Sequence, residues 1–440
     1  MKTYYLASAG CPRRAVDSQK IADYLETNNI KHTRDVQQAD LIIVSTCAAL
    51  KSREDLSKSA VTWYQEQKHR EAKIVVAGCL GKINPAVKKE FSEVAFISPR
   101  EIDALDDMIA AKVPFKDIPD PNQIGSFPLF PDKPERQAKG DRLNKRLDLT
   151  YEKEDLFTLR IATGCLGNCS YCAVKFAVGQ LESKPLDTIV DEFKRGLDRG
   201  FEHFVLIAGD VGCYGVDIGI SVVELLRALF AVEGSYKIII KEFNAQWVVK
   251  YFQDLLQIFK KHYEKIDYIV VPVQSASNRI LRLMKRPYTI EDVKRYLNII
   301  KAEVPGLQIS THIMVGFPGE TEADFKESID FIKEYEFPFV DIYPYDDRPN
   351  TAASRQPCLP GPDTGRRRGS AAGRAERQVD GCSLHCPRHP CDACGHLCTQ
   401  PGAQLGRRQA PAGRGEGGHA RDIRRPHAAP ERPEPLRQIA

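Results

Sequence analysis

The stretch GCLGNCSYC, residues 164–172, places Cys165, Cys169 and Cys172 within eight residues. It follows the apolar run LFTLRIAT, residues 156–163, and precedes a segment with helical character. This order predicts a loop that joins a strand to a helix. In barrels built from alternating strands and helices, such loops form the face that carries the active site. We therefore expect a functional site at these three thiols.

The same alternation spans about 190 residues from residue 156 onward. Further buried strands are predicted at HFVLIAG, KIIIKEF, YIVVPV, LQISTHIMVGF and FPFVDIYPY, with amphipathic helices between them. Six such repeats are fewer than those of the common (β/α)8 barrel, in which eight repeats take about 250 residues. Residues 151–350 are therefore predicted to form a partial (β/α)6 barrel.

Residues 1–111 show a separate alternation of short apolar runs and amphipathic segments. Strands are predicted at KTYYLASAGC, DLIIVSTC, KIVVAGC and EVAFIS. This pattern predicts an α/β domain with an open parallel, flavodoxin-like sheet. Residues 112–150 are rich in Pro, Asp and Lys with little periodicity, and they are interpreted as a linker.

Three further cysteines, Cys11, Cys47 and Cys79, each end one of these N-terminal strands. The carboxyl ends of parallel strands meet at one edge of a sheet, where ligands bind. The three thiols are therefore predicted to converge on a shared metal site. The alternative is that each is a small buried apolar side chain, which is common for free cysteine.

The C-x3-C-x2-C spacing of residues 165–172 suits an iron–sulfur cluster, because cysteine thiolates are the usual cluster ligands. Zinc is the alternative, but a structural zinc site takes four ligands and no fourth Cys or His stands nearby. Three ligands leave one position open, and an open position indicates chemistry.

Composition favours an ordinary cytoplasmic protein. The 440 residues carry a net charge of +4, which alone does not indicate nucleic acid. No apolar run approaches the roughly 18–20 residues of a membrane span, and the N-terminus lacks the apolar core of a signal peptide. In a reducing compartment the 13 cysteines are better read as metal ligands, redox groups or buried side chains than as disulfides.

Residues 351–440 form a low-complexity tail in which the composition changes abruptly. From Pro357 onward there is no Lys, Phe, Tyr, Trp, Met or Asn. Such a segment cannot build a core and is predicted to be irregular or disordered. We interpret it as translation of a GC-rich gene in the wrong reading frame, which resequencing codons 350–358 would test. The alternative is a disordered tail whose run CSLHCPRHPCDACGHLC, residues 382–398, binds a metal.

The cysteine loop, with Tyr171 before its third cysteine, resembles the signature of radical S-adenosylmethionine (SAM) enzymes. Together with the N-terminal cysteines, the chain resembles the methylthiotransferases of that superfamily from residue 1 to about 355. The segments that carry this resemblance are GCPRRAVDSQ (10–19), AGDVGCYG (208–215), PVQSASNRILRLMKR (272–286) and VGFPGETEADF (315–325).

The resemblance implies two [4Fe–4S] clusters and SAM as cofactors. Cys165, Cys169 and Cys172 would hold the cluster whose free iron binds SAM. Cys11, Cys47 and Cys79 would hold a second cluster that carries or donates sulfur. Sulfur insertion at an unactivated C–H bond needs a radical, which a cofactor must supply.

Six residues are predicted to contact SAM at the barrel rim, and the alternative for each of the strand-end residues is ordinary capping. They are Tyr171 of the loop and the strand-end residues Gly209, Asp210, Asn244, Gln274 and Ser275.

The resemblance implies methylthiolation of a tRNA adenosine next to the anticodon, with the branch that acts on threonylcarbamoyl-adenosine most similar. A ribosomal protein or peptide is the alternative substrate, and a non-catalytic iron–sulfur or zinc protein is the alternative function. An electron donor such as flavodoxin or ferredoxin is also implied, whereas the sulfur donor is not identified.

Two departures from the family concern its substrate contacts. The family usually carries an Arg-Gly pair soon after the cluster loop, where this chain has Val178 and Gly179. It also ends in a small RNA-binding β-barrel, for which no strand pattern follows residue 355.

Overall fold

The structure is a computed structural model that describes residues 1–130 and 156–356. In the first segment five strands alternate with helices. The strands are β1 (Thr3–Ser8), β2 (Lys31–His32), β3 (Leu41–Thr46), β4 (Lys73–Gly78) and β5 (Ala95–Ile97). The α-helices span Pro12–Thr27, Lys51–Gln67, Leu80–Ile83, Val87–Glu90 and Ala104–Ile109.

These five strands form one parallel sheet in the order β2-β1-β3-β4-β5. The central strands β3 and β4 are apolar on both faces because helices cover both sides, which is typical of parallel sheets. The four predicted N-terminal strands and the open parallel sheet are therefore confirmed. Only the two-residue edge strand β2 had no signal in the sequence, since Lys31 and His32 are exposed.

The second segment contains six long parallel strands. They are β6 (Leu156–Arg160), β9 (His203–Ile207), β10 (Lys237–Ile240), β11 (Ile266–Val270), β12 (Ile309–Val315) and β13 (Val340–Pro344), in the order β13-β12-β11-β10-β9-β6. The two-residue strands β7 (Ala162–Thr163) and β8 (Glu182–Ser183) form a separate antiparallel pair. The predicted α/β fold with six β/α repeats is confirmed, and the sheet order ends at β6 and β13, as expected for a partial barrel.

The α-helices of this segment follow the strands in turn. They span Lys175–Val178, Leu186–Asp198, Val222–Phe230, Ala245–Lys250, Phe252–His262, Asn278–Leu283, Ile290–Glu303 and Glu322–Tyr335. Their apolar faces and one face of the sheet form the largest core cluster. No helix in the described part of the chain is both long enough and apolar enough to cross a membrane.

The inner face of the barrel sheet is covered by the N-terminal domain. Val16, on the helix Pro12–Thr27, is fully buried against Leu156, Val205, Ile207 and Ile239. Burial of a valine side chain contributes roughly 1.5–3 kcal/mol, so this contact helps to hold the helix against the strands. The helix that begins directly after Cys11 is thereby placed beside the barrel interior.

The predicted linker, residues 112–150, is described only as far as residue 130. Residues 112–130 contain one 3-10 turn, Phe115–Asp117, and no α-helix or strand. They pack against both halves of the chain: Phe130 is buried in the N-terminal core, and the backbone carbonyl of Asn122 accepts a hydrogen bond from Thr158 N of β6 at 2.7 Å. The remaining linker residues and almost all of the predicted tail, from Pro357 onward, lie outside the described residues.

Asp120 in this connection joins cations from both halves of the chain. Its carboxylate lies 3.2 Å from Lys20 Nζ, 3.6 Å from Arg160 Nη1 and 3.1 Å from Lys184 Nζ. Burial alone would raise the pKa of Asp120, but Arg160, Lys184 and Lys20 hold it well below its ordinary value. The carboxylate therefore compensates three largely buried positive charges.

The substitution Asp120→Asn is expected to lower the free energy of unfolding by about 3 kcal/mol, because it leaves these cations without their common partner. A carboxyl group with a lowered pKa stabilises the fold at pH values above its unfolded pKa of about 4 and loses that effect as the pH falls further. The difference between the variant and the unaltered chain should thus shrink below about pH 4 in denaturant titrations. Asp117→Asn, at an exposed site nearby, is the control; an equal loss in both variants would contradict the prediction.

Candidate active site

The cysteine loop starts at a glycine that no other residue could replace without moving the backbone. Gly164 has φ +73°, and a Cβ there would lie 1.7 Å from the carbonyl oxygen of Gln180. Gly209, at the end of β9, would place a Cβ 2.3 Å from the carbonyl oxygen of Gly164. These close approaches press the loop against the neighbouring strand ends, as the predicted position at the carboxyl edge requires.

Cys165, Cys169 and Cys172 line one cavity of about 200 Å³ at this edge of the barrel. The backbone N–H of Gly167 donates to Cys165 Sγ at 3.1 Å. The Arg286 guanidinium donates to Cys169 Sγ at 3.3 Å. A hydrogen bond from the Cys213 thiol lowers the pKa of Cys165, whereas burial raises the pKa of Cys172.

Within residues 1–130 and 156–356, no group of three or more His, Cys, Asp or Glu side chains is arranged around a single metal ion. An iron–sulfur cube binds each thiolate at a different iron, so its ligands need not converge on one point. Three thiols around one cavity, with N–H donors directed at two of the sulfurs, therefore fit a cluster better than a zinc ion.

Five of the six predicted SAM contacts line this same cavity: Tyr171, Gly209, Asp210, Asn244 and Gln274. Asp210 is buried, and burial raises its pKa to about 6. Its carboxylate accepts hydrogen bonds from Trp247 Nε1 at 2.8 Å, Gly212 N at 3.1 Å and Asn244 N at 3.3 Å. Asp210 thus fixes the position of Asn244, which itself caps the helix Ala245–Lys250.

Gln274 has two features typical of a ligand-binding residue. Its φ is +74°, a left-handed conformation that is costly for a residue with a Cβ. Its side-chain oxygen is buried and has no hydrogen-bond partner, although buried polar atoms are nearly always paired. Gln274 also lines the cavity, and an unpaired acceptor there suits an ammonium group.

Ser275 lies apart from the other predicted SAM contacts. It is fully buried and does not belong to the cavity lining. Its hydroxyl accepts a hydrogen bond from Ser277 N at 3.2 Å and lies 3.5 Å from Ser328 Oγ. The structure therefore places Ser275 where it shapes the turn after Gln274.

Tyr171 belongs to the cluster loop, and its side chain contacts the segment that follows β12. Its ring packs edge-on against Phe317 with the centroids 6.4 Å apart. It lines both the first cavity and a second one of about 300 Å³. The two cavities adjoin, and they also share Arg13, Ile207 and Glu242.

The N-terminal cysteines lie at equivalent strand ends, as predicted. Cys47 and Cys79 are buried directly after β3 and β4, and Cys11 precedes the helix Pro12–Thr27. A hydrogen bond from the Cys47 thiol, with the charges of Arg13 and Arg14, holds the pKa of Cys11 well below its ordinary value, although burial opposes this. Burial raises the pKa of Cys79 to about 11.

Cys11 and Cys47 line the second cavity, whereas Cys79 lies behind them and is not part of its lining. Cys79 is nevertheless close to both, because its charge raises the pKa of Cys47 and the charge of Cys11 raises the pKa of Cys79. The structure thus brings the three N-terminal thiols together beside the barrel interior. The shared metal site that the sequence predicted for these thiols stays a prediction.

Two residues that line the first cavity, Glu242 and Arg286, were not among the predicted contacts. Glu242 follows β10 with φ +55° and lines both cavities. Arg286 is buried and reaches Cys169 from the turn after the helix Asn278–Leu283. Glu242 lies at a strand end like the predicted contacts, but the direction of the turn after Asn278–Leu283 could not be read from residue spacing.

At the position where the family carries its arginine, Val178 lines the first cavity. Arg100 of the N-terminal domain approaches the same segment from outside the cavity: its Nε donates to the carbonyl oxygen of Val178 at 2.6 Å, and its guanidinium contacts Gln180 and Glu182. A cation is therefore present beside this loop, but it binds the backbone of the loop and is not in the cavity lining.

Family models match the two halves of the chain. Residues 159–332 match the radical SAM superfamily, and residues 3–98 match uncharacterized protein family UPF0004. A solved structure with a similar fold is a radical SAM methyltransferase, TsrM, from Kitasatospora setae, with a TM-score of 0.56 and 13% identity over 80% of this chain and 75% of that one.

Curated relatives resemble the chain across both halves. A probable threonylcarbamoyladenosine tRNA methylthiotransferase from Pyrococcus horikoshii is 30% identical over 82% of this chain and 81% of its own length. The human threonylcarbamoyladenosine tRNA methylthiotransferase is also 30% identical, but this chain spans only 59% of its length. The ribosomal protein uS12 methylthiotransferase RimO from Carboxydothermus hydrogenoformans is 29% identical over 80% of this chain and 77% of its own length. The chain therefore belongs to the radical SAM methylthiotransferase family of enzymes.

Proposed function

We propose that this chain inserts sulfur and a methyl group at a C–H bond of a modified adenosine next to the anticodon of tRNA. The observation that carries this proposal is the pair of adjoining cavities, one lined by Cys165, Cys169 and Cys172 and the other by Cys11 and Cys47. A single substrate placed at their junction would lie beside the thiols of both cavities.

Each set of three cysteines would hold one [4Fe–4S] cluster. Bound at the first set together with SAM, the cluster supplies the electron that turns SAM into a source of a hydrogen-abstracting radical. Hydrogen bonds from the Cys213 thiol and from the backbone N–H of Gly167 favour the thiolate form of Cys165, which is the form that binds iron. The second set lies on the other side of Tyr171, where sulfur transfer would take place.

The residues around the first cavity suit the polar end of SAM. The unpaired oxygen of Gln274 would accept a hydrogen bond from the SAM ammonium group. Gly209 lets the cysteine loop approach the end of β9 closely, and Asp210 holds Asn244 at the rim. Tyr171 would separate SAM from the substrate, while Ser275 acts through the turn that presents Gln274.

The relatives support a tRNA substrate because the archaeal and human proteins carry that name. The uS12 methylthiotransferase supports the second candidate, a ribosomal protein. In either case we propose a cytoplasmic enzyme that receives electrons from a small redox protein such as flavodoxin or ferredoxin.

Mass spectrometry of tRNA nucleosides from a strain lacking the gene tests the substrate. The methylthio form of threonylcarbamoyl-adenosine should disappear and return when the gene is restored. Loss of methylthiolated uS12 with an unchanged nucleoside pool would instead support the ribosomal-protein candidate.

Anaerobic reconstitution of the purified chain tests whether it is an enzyme or a metal-binding protein without activity. We expect about eight iron atoms per chain, as two [4Fe–4S] clusters require, and cleavage of SAM to 5′-deoxyadenosine. One zinc ion without SAM cleavage would refute the proposal.

A further inference from the structure

The side chains on the inner face of the barrel sheet differ between its two ends. On β6, β9 and β10 this face carries the apolar side chains of Leu156, Val205, Ile207 and Ile239, which pack against Val16. On β12 and β13 the residues that line the second cavity are His312, Asp341 and Tyr343. Polar groups at such a position cost free energy unless they have partners, so packing alone does not explain them.

These polar groups are organised around one carboxylate. His312 and Asp341 are paired in register across β12 and β13, and His312 Nε2 lies 3.2 Å from Asp341 Oδ2. The Tyr343 hydroxyl donates to the same oxygen at 3.5 Å, and its ring stands edge-on to the imidazole at 5.4 Å. Asp341 therefore fixes the orientation of the His312 imidazole through Nε2. A ligand in the cavity would meet the other ring nitrogen, Nδ1.

Positive charge predominates among the ionised groups around this cavity. Arg13, Arg53 and Lys241 line it, against the carboxylates of Glu242 and Asp341. The two arginines belong to the wall formed by the N-terminal domain and donate to the backbone carbonyls of Ala208 and Ala9. Lys241 belongs to the barrel wall, directly after β10.

We infer that Lys241 and His312 bind a carboxylate carried by the substrate, on the barrel wall of the cavity that Cys11 and Cys47 line from the N-terminal domain, while Tyr343 helps Asp341 to position the imidazole. The Lys241 ammonium group and an imidazolium whose Nε2–H is bonded to Asp341 are suitable donors for a carboxylate, and they would be unsuitable for an apolar substituent. This inference rests on the proposed function: the threonylcarbamoyl group of the modified adenosine ends in such a carboxylate.

The test measures binding of three anticodon stem-loop RNAs to the full chain by fluorescence anisotropy. One RNA carries N6-threonylcarbamoyladenosine, the second carries the same group with its carboxylate converted to an amide, and the third carries unmodified adenosine. The unaltered chain should bind the carboxylate form about tenfold more tightly than the amide, because hydrogen bonds to a charged group stabilise more than neutral ones.

Lys241→Met and His312→Gln should each bring this ratio close to one. Lys237→Met, at the exposed opposite end of β10, is the matched control and should leave it at about tenfold. Equal binding of the acid and the amide by the unaltered chain would overturn the inference but not the proposed function. If none of the three RNAs binds and no methylthio-adenosine is formed, the proposed function fails and the inference fails with it.

Discussion

Alanine in place of Cys169 is expected to reduce SAM cleavage to background and the iron content from about eight to about four atoms per chain. Cys169 lines the first cavity with Cys165 and Cys172, and no other described Cys or His lines that cavity to replace it. The measurement is 5′-deoxyadenosine formation by anaerobically reconstituted protein, together with iron analysis.

Cys47→Ala should cause the same loss of iron but preserve SAM cleavage, because Cys47 belongs to the other cavity. The methylthiolated product should disappear in both variants. Cys213→Ala is the control, since this buried thiol contacts Cys165 but is not assigned as a ligand, and its iron content should stay at about eight atoms. If Cys47→Ala abolishes SAM cleavage as fully as Cys169→Ala, the assignment of two separate sites is wrong.

Substitution of Arg286 by glutamine is expected to make the reduction potential of the SAM-binding cluster more negative by about 50–100 mV. The guanidinium donates to Cys169 Sγ at 3.3 Å, and hydrogen bonds to a cluster sulfur raise the potential. A hydrogen bond to a charged group stabilises by about 1.5–3 kcal/mol, and about 1.4 kcal/mol corresponds to 59 mV for one electron. The expected shift is smaller than this energy alone would give, because the hydrogen bond stabilises both the oxidised and the reduced cluster and only the difference counts.

The potential is measured by a redox titration followed by electron paramagnetic resonance. Arg286→Gln also removes donors to Tyr288 and Pro272, so thermal unfolding of the cluster-free protein must be measured alongside it. Arg282→Gln, at an exposed position on the preceding helix, is the control. A potential that stays the same in Arg286→Gln and Arg282→Gln would show that the contact with Cys169 does not tune the cluster.

The strands of both halves were predictable because parallel strands covered on both faces are continuous apolar runs. DLIIVSTC and KIVVAGC became β3 and β4, and HFVLIAG became β9, each within a few residues of the predicted bounds. The helix Pro12–Thr27 begins at Pro12, because a proline at the first helical position favours helix initiation.

Candidate site residues were predictable where they follow an apolar run. Gly209, Asp210 and Gln274 were found in this way, and the structure places them on one cavity. Ser275 satisfied the same rule but is turned away, because successive residues after a strand point in different directions. Arg286 and the pair of His312 and Asp341 depend on contacts between distant segments, for which one sequence offers no signal.

The sequence by itself determined the candidate site residues: two sets of three cysteines, each at strand ends or on a strand-to-helix loop, since thiol spacing and apolar periodicity are local properties of the chain. Only the tertiary structure decided that the first set and Cys11 and Cys47 of the second line adjoining cavities, which share Tyr171. That arrangement arises because Val16 buries the helix after Cys11 against the inner face of the barrel sheet. Burial of apolar surface between segments far apart in sequence is a property of the folded chain.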